Sequence, residues 1–161
     1  MTEEGIKRLR SLLRSYVERP SKAQPALKPT PDEGERRRRA CGERLQQVVR
    51  SVLVDCSAEL RDAGHEAAVD DRTDAENAYP SVALAFTPRV PGRTTLTSVL
   101  TFRYDPRRGV AVGRDIKPAP QKGRVVTSST DRIGTMRVEA VTADWVESKT
   151  LSFIEAVLKV N

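Results

Sequence analysis

Aromatic residues are scarce in this chain of 161 residues: three Phe, three Tyr and one Trp, 4% in all. A platform that stacks single-stranded bases needs several aromatic faces, so that mode of nucleic-acid recognition is disfavoured at the outset. Histidine occurs once, at His65, and cysteine twice, at Cys41 and Cys56. Without a close Cys/His cluster a zinc centre lacks ligands, and no cofactor is expected. The two cysteines fall fifteen positions apart on one expected helix, roughly 22 Å at ~1.5 Å per residue. That is far beyond the ~7 Å Cα ceiling for a bridge within one chain. No apolar run approaches the ~18 residues of a membrane span, and the N-terminus lacks the apolar stretch of a signal peptide. A soluble, intracellular protein is expected, cytoplasmic and nuclear placement not being distinguished. The glycine loop that cradles phosphates, the dinucleotide fingerprint and the serine elbow are all absent. Carboxylates outside residues 70–77 are scattered, so no catalytic residue is nominated and binding is the economical function.

The length suits one domain with an appendage. Residues 3–19, EEGIKRLRSLLRSYVER, place Ile6, Leu9, Leu13 and Tyr16 on one helical face, with Leu12 and Val17 beside them and charges elsewhere. Prolines at 20, 25, 29 and 31 follow, the composition of an extended, semi-rigid tether. The domains read from this are an amphipathic helix at 1–19, a proline-rich linker at 20–30 and a single domain at 31–161. Thr30-Pro31-Asp32-Glu33 has the cap, proline and glutamate of a helix start. Leu45, Val48, Val49, Val52, Leu53, Cys56 and Leu60 then form a broad stripe suited to covering a sheet, and Gly64 supplies the stop. A helix running from 31 to 63 would be ~50 Å long, so its first three turns are expected to project into solvent or a partner.

Beyond Gly64 the apolar period changes from 3.6 to 2. Val82, Leu84 and Phe86 alternate with Ala83, Ala85 and Thr87, and a second alternation runs from Thr95 to Tyr104. YDPRRGV, at 104–110, carries the Asp, Pro and Gly of a hairpin turn into a strand with Val110, Val112 and Ile116. Further strands are expected at His65–Asp71, Val125–Ser129 and Met136–Val141. A closing helix from Thr142 or Asp144 has apolar residues around most of its circumference and is expected to be largely buried. The fold class is α+β: an antiparallel β-meander of four to six strands packed against a long helix and a C-terminal helix.

Charge is uneven. The formal net charge is +6, yet residues 101–137 carry nine Lys/Arg against three acids, while 40–100 carry six against nine. The basic pole is Arg103, Arg107, Arg108, Arg114, Lys117, Lys122, Arg124, Arg132 and Arg137. With the run Arg36, Arg37, Arg38 and Arg39, most of these are candidate phosphate contacts if nucleic acid is the partner. The plainer reading of the run is a solvated helix. Asp32, Glu33 and Glu35 each stand four residues before an arginine, and successive helical residues point ~100° apart, so the four cannot grip one groove together. DDRTDAEN at 70–77 lacks the glycine and terminal glutamate of a calcium loop, and His65 is expected beside a helix end. Ala83, Ala85, Thr95, Thr97, Val99, Thr101 and Ala111 make a flat face of small residues, open to a partner or covered by the first or last helix.

YPSVALAFTP at 79–88, set between a long helix and an antiparallel meander with a closing helix, resembles the strands of RWD-type interaction domains. The likeness covers residues 40–160 at the level of topology. Position 84, where that family's Tyr-Pro motif carries a second proline, is leucine, so no site residue is transferred. The resemblance implies a docking module without catalysis. The leading expectation is therefore a non-catalytic interaction or adaptor module that recruits a protein partner or self-associates, with Ile6, Leu9, Leu13 and Tyr16 as anchors. The alternative is a nucleic-acid-binding protein using Arg36–Arg39, Arg103, Arg107, Arg108, Arg114, Lys117, Lys122 and Arg124.

Overall fold

The computed structural model describes residues 3–18, 31–74, 78–120 and 129–161, with the side chains of 14–18, 31–32 and 129–130 excepted. The proline-rich stretch 20–30 and residues 125–128 of the strand expected at Val125–Ser129 lie outside the described residues. Two compact units divide the chain, Met1–Arg36 and Arg37–Asn161. The first contains helix α1 (Glu3–Glu18), whose opening turn carries Glu3 and Glu4, acids placed where the helix dipole favours them.

The long helix is a composite. It comprises α2 (Pro31–Arg44), a π turn at Leu45–Val49 and α3 (Arg50–Asp62). Cys41, Leu45, Val49, Leu53 and Ser57 are all buried, at a strict spacing of four. Such a row drifts ~40° per step on a regular helix, because each residue advances ~100°. The wider π turn in its middle offsets part of that drift and keeps both ends of the row on the sheet. The described side chains before Cys41, residues 33–40, are exposed or half-buried, and full burial begins at Cys41. Gly64, at φ +94°, closes α3: its N–H donates to Arg61 O at 2.9 Å and that of His65 to Leu60 O at 3.0 Å. These are the paired bonds of a left-handed helix stop.

Strands β1 (Glu66–Arg72), β2 (Ser81–Thr87), β3 (Ser98–Asp105), β4 (Gly109–Ile116) and β5 (Ser129–Met136) form one antiparallel sheet in sequence order. The architecture is α+β with a five-stranded meander. Val82, Leu84 and Phe86 of β2, Leu100 and Phe102 of β3, and Val110 and Val112 of β4 are fully buried on one face. Helices α3 and α4 (Ala143–Val160) pack against that face. Val146, Thr150, Phe153 and Val157 make the inward stripe of α4, and Trp145 meets Phe102 edge to face at 5.9 Å. Leu151 and Leu158, however, are 65% and 47% exposed. Burial all round, as expected from composition, does not occur because α4 has the sheet on one side and solvent on the other. The buried hydroxyls of Ser57 and Thr150 bond carbonyls within their own helices, and that of Ser98 accepts Lys117 N–H, so none is left unmet.

Thr142 caps α4 by accepting the Trp145 N–H at 3.3 Å. Thr142→Ala is expected to cost about 1 kcal/mol and to lower the melting temperature by a few degrees in a circular-dichroism scan. Two strand boundaries depart from the alternation. Thr95 donates its hydroxyl to Pro88 O, and the Thr87 and Thr97 hydroxyls pair at 2.7 Å. These bonds belong to the β2–β3 connection, so β3 begins at Ser98. Residues after Met136 form a 3-10 turn at Val138–Ala140, and Val141 O accepts two bonds from the Arg44 guanidinium at 3.0 and 2.6 Å. At the outer edge of the sheet Lys149 reaches from α4 to donate to Ile133 O at 3.1 Å. Gly134 leaves room for it, since a Cβ there would lie 3.1 Å from the lysine's terminal atoms.

Candidate functional site

The anchors on α1 are exposed. Ile6 is 39% accessible, Leu9 44%, Leu12 62% and Leu13 55%, and the hydrophobic core draws all its buried members from Cys41 to Val157. Tyr16 lies on the same helix, but its side chain is outside the described ones. Lys7, Arg8 and Arg10 stand between these apolar positions in sequence and are exposed. A stripe of this kind, at helical spacing and flanked by cations, is what a helix offers to an apolar groove.

The arginine run fans out. Arg37 lines a cleft of about 520 Å³, whereas Arg38 and Arg39 line a separate depression of about 300 Å³ with Gln46, Thr73 and Asp74. Glu33, Glu35, Arg37, Arg38 and Arg39 each have an interaction partner. Arg114 is committed to a two-pronged ion pair with Asp131 across β4–β5, at 3.0 and 3.2 Å. Arg103 and Arg132 line a third depression, about 450 Å³, on the open face of the sheet beside Thr101, Gly113 and Asp115. Lys117 is half-buried, and Lys122 and Arg124 lie outside the described residues. Arg36 is exposed in the first unit.

The cleft of about 520 Å³ gathers cations from distant parts of the chain. Arg37, Glu43, Arg44 and Gln47 come from α2 and the π turn, Asp105 to Gly109 from the β3–β4 hairpin, and Arg137 to Glu139 from the 3-10 turn. The hairpin turns as its sequence requires. Asp105 accepts Arg107 N–H through its carboxylate at 2.9 Å and Arg108 N–H through its carbonyl at 3.2 Å, and Gly109 closes at φ +103°. Arg107 and Arg108 are thereby carried exposed at the tip. Tyr104, 6% exposed, lines the same cleft, and its hydroxyl makes no hydrogen bond to a described residue. Burial raises the Tyr104 pKa, helped by nearby Cys41 and opposed by Arg37 and Arg38. Burial likewise pushes the Cys41 thiol up to about 12 and raises that of Cys56, so neither is a ready thiolate nucleophile.

Sequence reasoning did not nominate Arg44 or Tyr104, and it left Arg137 in the general basic pole. One signal was there to read: Arg37 and Arg44 stand seven apart, two turns along the same helix face. The convergence with Arg137 depends on the sheet register and has no local signature. His65 sits at the end of α3 as expected, its Nδ1 accepting Arg89 N–H at 2.9 Å and its ring edge-on to Phe86. Asp71, in the polar stretch 70–77, pairs with Arg50 at 3.2 Å and caps Thr73 N–H. On the small-residue face, away from α4, Ala83, Ala85, Val99 and Thr101 are half-buried and Ala111 is buried. That corrects the expectation of the last helix covering it, because α4 is held to the opposite face by Phe153 and Val157. Among the described residues, no helix is long and apolar enough to cross a membrane. No family model matches the chain, and neither the curated proteins nor the solved structures provide a match.

Proposed function

We propose that the chain is a non-catalytic interaction module in which α1 supplies the apolar anchors for a protein partner or a second copy. The observation that carries this reading is the exposure of Ile6, Leu9, Leu12 and Leu13, together with a core that among the described residues is assembled without them. Burying one such side chain contributes ~1.5 to 3 kcal/mol. Four together give ~6 to 12 kcal/mol, comparable to the ~4 to 15 kcal/mol cost of association. The resemblance of residues 40–160 to RWD-type domains agrees with a docking role. Nucleic-acid binding is the weaker reading, because it wants cations along one track, and the candidate arginines divide among three depressions and one ion pair.

The test is Leu9→Asp with Leu13→Asp in the full chain. Association, read by light scattering and by titration against a purified partner, is expected to weaken about a thousandfold, two side chains at ~2 kcal/mol each. The melting temperature is expected to stay where it is. Unchanged association defeats the reading, and a lower melting temperature with unchanged association means that the stripe packs within the chain instead.

A further inference from the structure

We propose that the cleft between α2, the β3–β4 hairpin and the Val138–Ala140 turn binds a small oligophosphate, a ligand carrying two or three linked phosphate groups. Five arginines line it against Glu43, Asp105 and Glu139, a surplus of two positive charges. The Asp105 carboxylate is already engaged by the hairpin's own Arg107 N–H, and Arg44 is spent on Val141 O. Arg107, Arg108 and Arg137 are exposed and form no ion pair with a described residue. They come from two elements that meet at Gly109, the hairpin and the 3-10 turn, and three guanidinium groups offer more positive charge than one phosphate group answers.

An independent observation points to the same place. Tyr104, 6% exposed, lines the cleft, and its hydroxyl is not among the buried unpaired atoms, so it can serve there as a hydrogen-bond donor to a phosphate oxygen. Guanidinium forks suit phosphate because they present paired N–H groups in its geometry. The volume, about 520 Å³, falls in the ~300 to 1,000 Å³ range of small-ligand sites.

Inorganic tripolyphosphate, titrated calorimetrically into the full chain at low salt, is the probe. Saturable 1:1 binding with a raised melting temperature is expected. Arg107→Ala with Arg137→Ala, both at exposed positions, should leave the unliganded melting temperature unchanged and weaken binding at least about tenfold, as befits charge-assisted bonds. Tyr104→Phe should weaken it severalfold at constant net charge. A charge-matched pair at the opposite end of β3, Arg93→Ala with Lys159→Ala, should bind within about twofold of the parent once general screening is allowed for. Absence of binding overturns the proposal, as does equal weakening by the charge-matched pair. Tighter binding of a mixed-sequence oligonucleotide than of tripolyphosphate, with both lost in the cleft variant, also overturns it in favour of a nucleic-acid track.

Discussion

Gly109→Ala is expected to remove about 2 to 6 kcal/mol of folding stability. Residue 109 has φ +103°, a conformation that costs a side-chain-bearing residue ~1 to 3 kcal/mol. A Cβ built there lies 2.6 Å from Met136 O and 2.9 Å from Val138 N. Both are backbone atoms where β5 passes into the 3-10 turn, and neither can swing aside. Relief requires β4 to separate from that segment, a displacement worth a further ~1 to 3 kcal/mol. A fold of ordinary stability, ~5 to 15 kcal/mol, loses a large share of it. Gly92→Ala separates the two terms, because Gly92 also has positive φ, +75°, but nothing lies within 4 Å of its Cβ position. Urea titrations should give Gly92→Ala the conformational cost alone, and Gly109→Ala clearly more. Equal losses at the two sites would refute the steric account.

Alkaline pH should unfold the protein through Cys41. In the unfolded chain this thiol ionises near its ordinary value of 9, whereas burial in the fold pushes it up to about 12. Below pH 9 both states hold the proton and the group contributes its full stability. Above pH 9 the unfolded state releases the proton while the fold retains it, so stability falls by up to ~1.4 kcal/mol per pH unit. Across the window from 9 to about 12 the loss is about 4 kcal/mol at most. Tyr104, also raised by burial, adds to the loss in the same direction beyond its own unfolded value of about 10. Urea midpoints measured at intervals from pH 7 to 11 should fall for the parent chain. Cys41→Ala, whatever its stability at pH 7, should show a shallower decline, the remainder coming from Cys56 and Tyr104, whose pKa values burial also raises. Parallel curves for the two would mean that the thiol is not held as described.

The elements set by local pattern were legible before the structure. Alternation in 82–87 and 98–105, the Asp-Pro turn with its closing glycine, the stop at Gly64 and the cap at Thr142 each act through bonds between near neighbours, and each recurs where its residues stand. Features imposed by the sheet were not. Leu45-Gln46-Gln47-Val48-Val49 contains ordinary helix residues; its π turn answers to the row of side chains buried against the rest of the fold, although the apolar row at every fourth position was a visible clue. The start of β3 depended on which threonines found partners across the connecting loop. Of the candidate site, the exposed α1 stripe was readable from spacing alone, whereas the arginine cleft joins residues 37, 44, 107, 108 and 137 through tertiary register. The fan of Arg37, Arg38 and Arg39 into different depressions follows from helix geometry.

The lysine that reaches across from α4 to Ile133 O bears on how this sheet meets its neighbours. An outermost strand offers a ladder of unpaired amides to any other chain that arrives alongside. On β5 the carbonyl of Ile133, the residue skipped in the register with β4, is taken by an ammonium group, and Gly134 keeps the space it occupies clear. A second molecule attempting to extend the sheet there meets a fixed cation in place of an acceptor, which discourages fibre-like stacking.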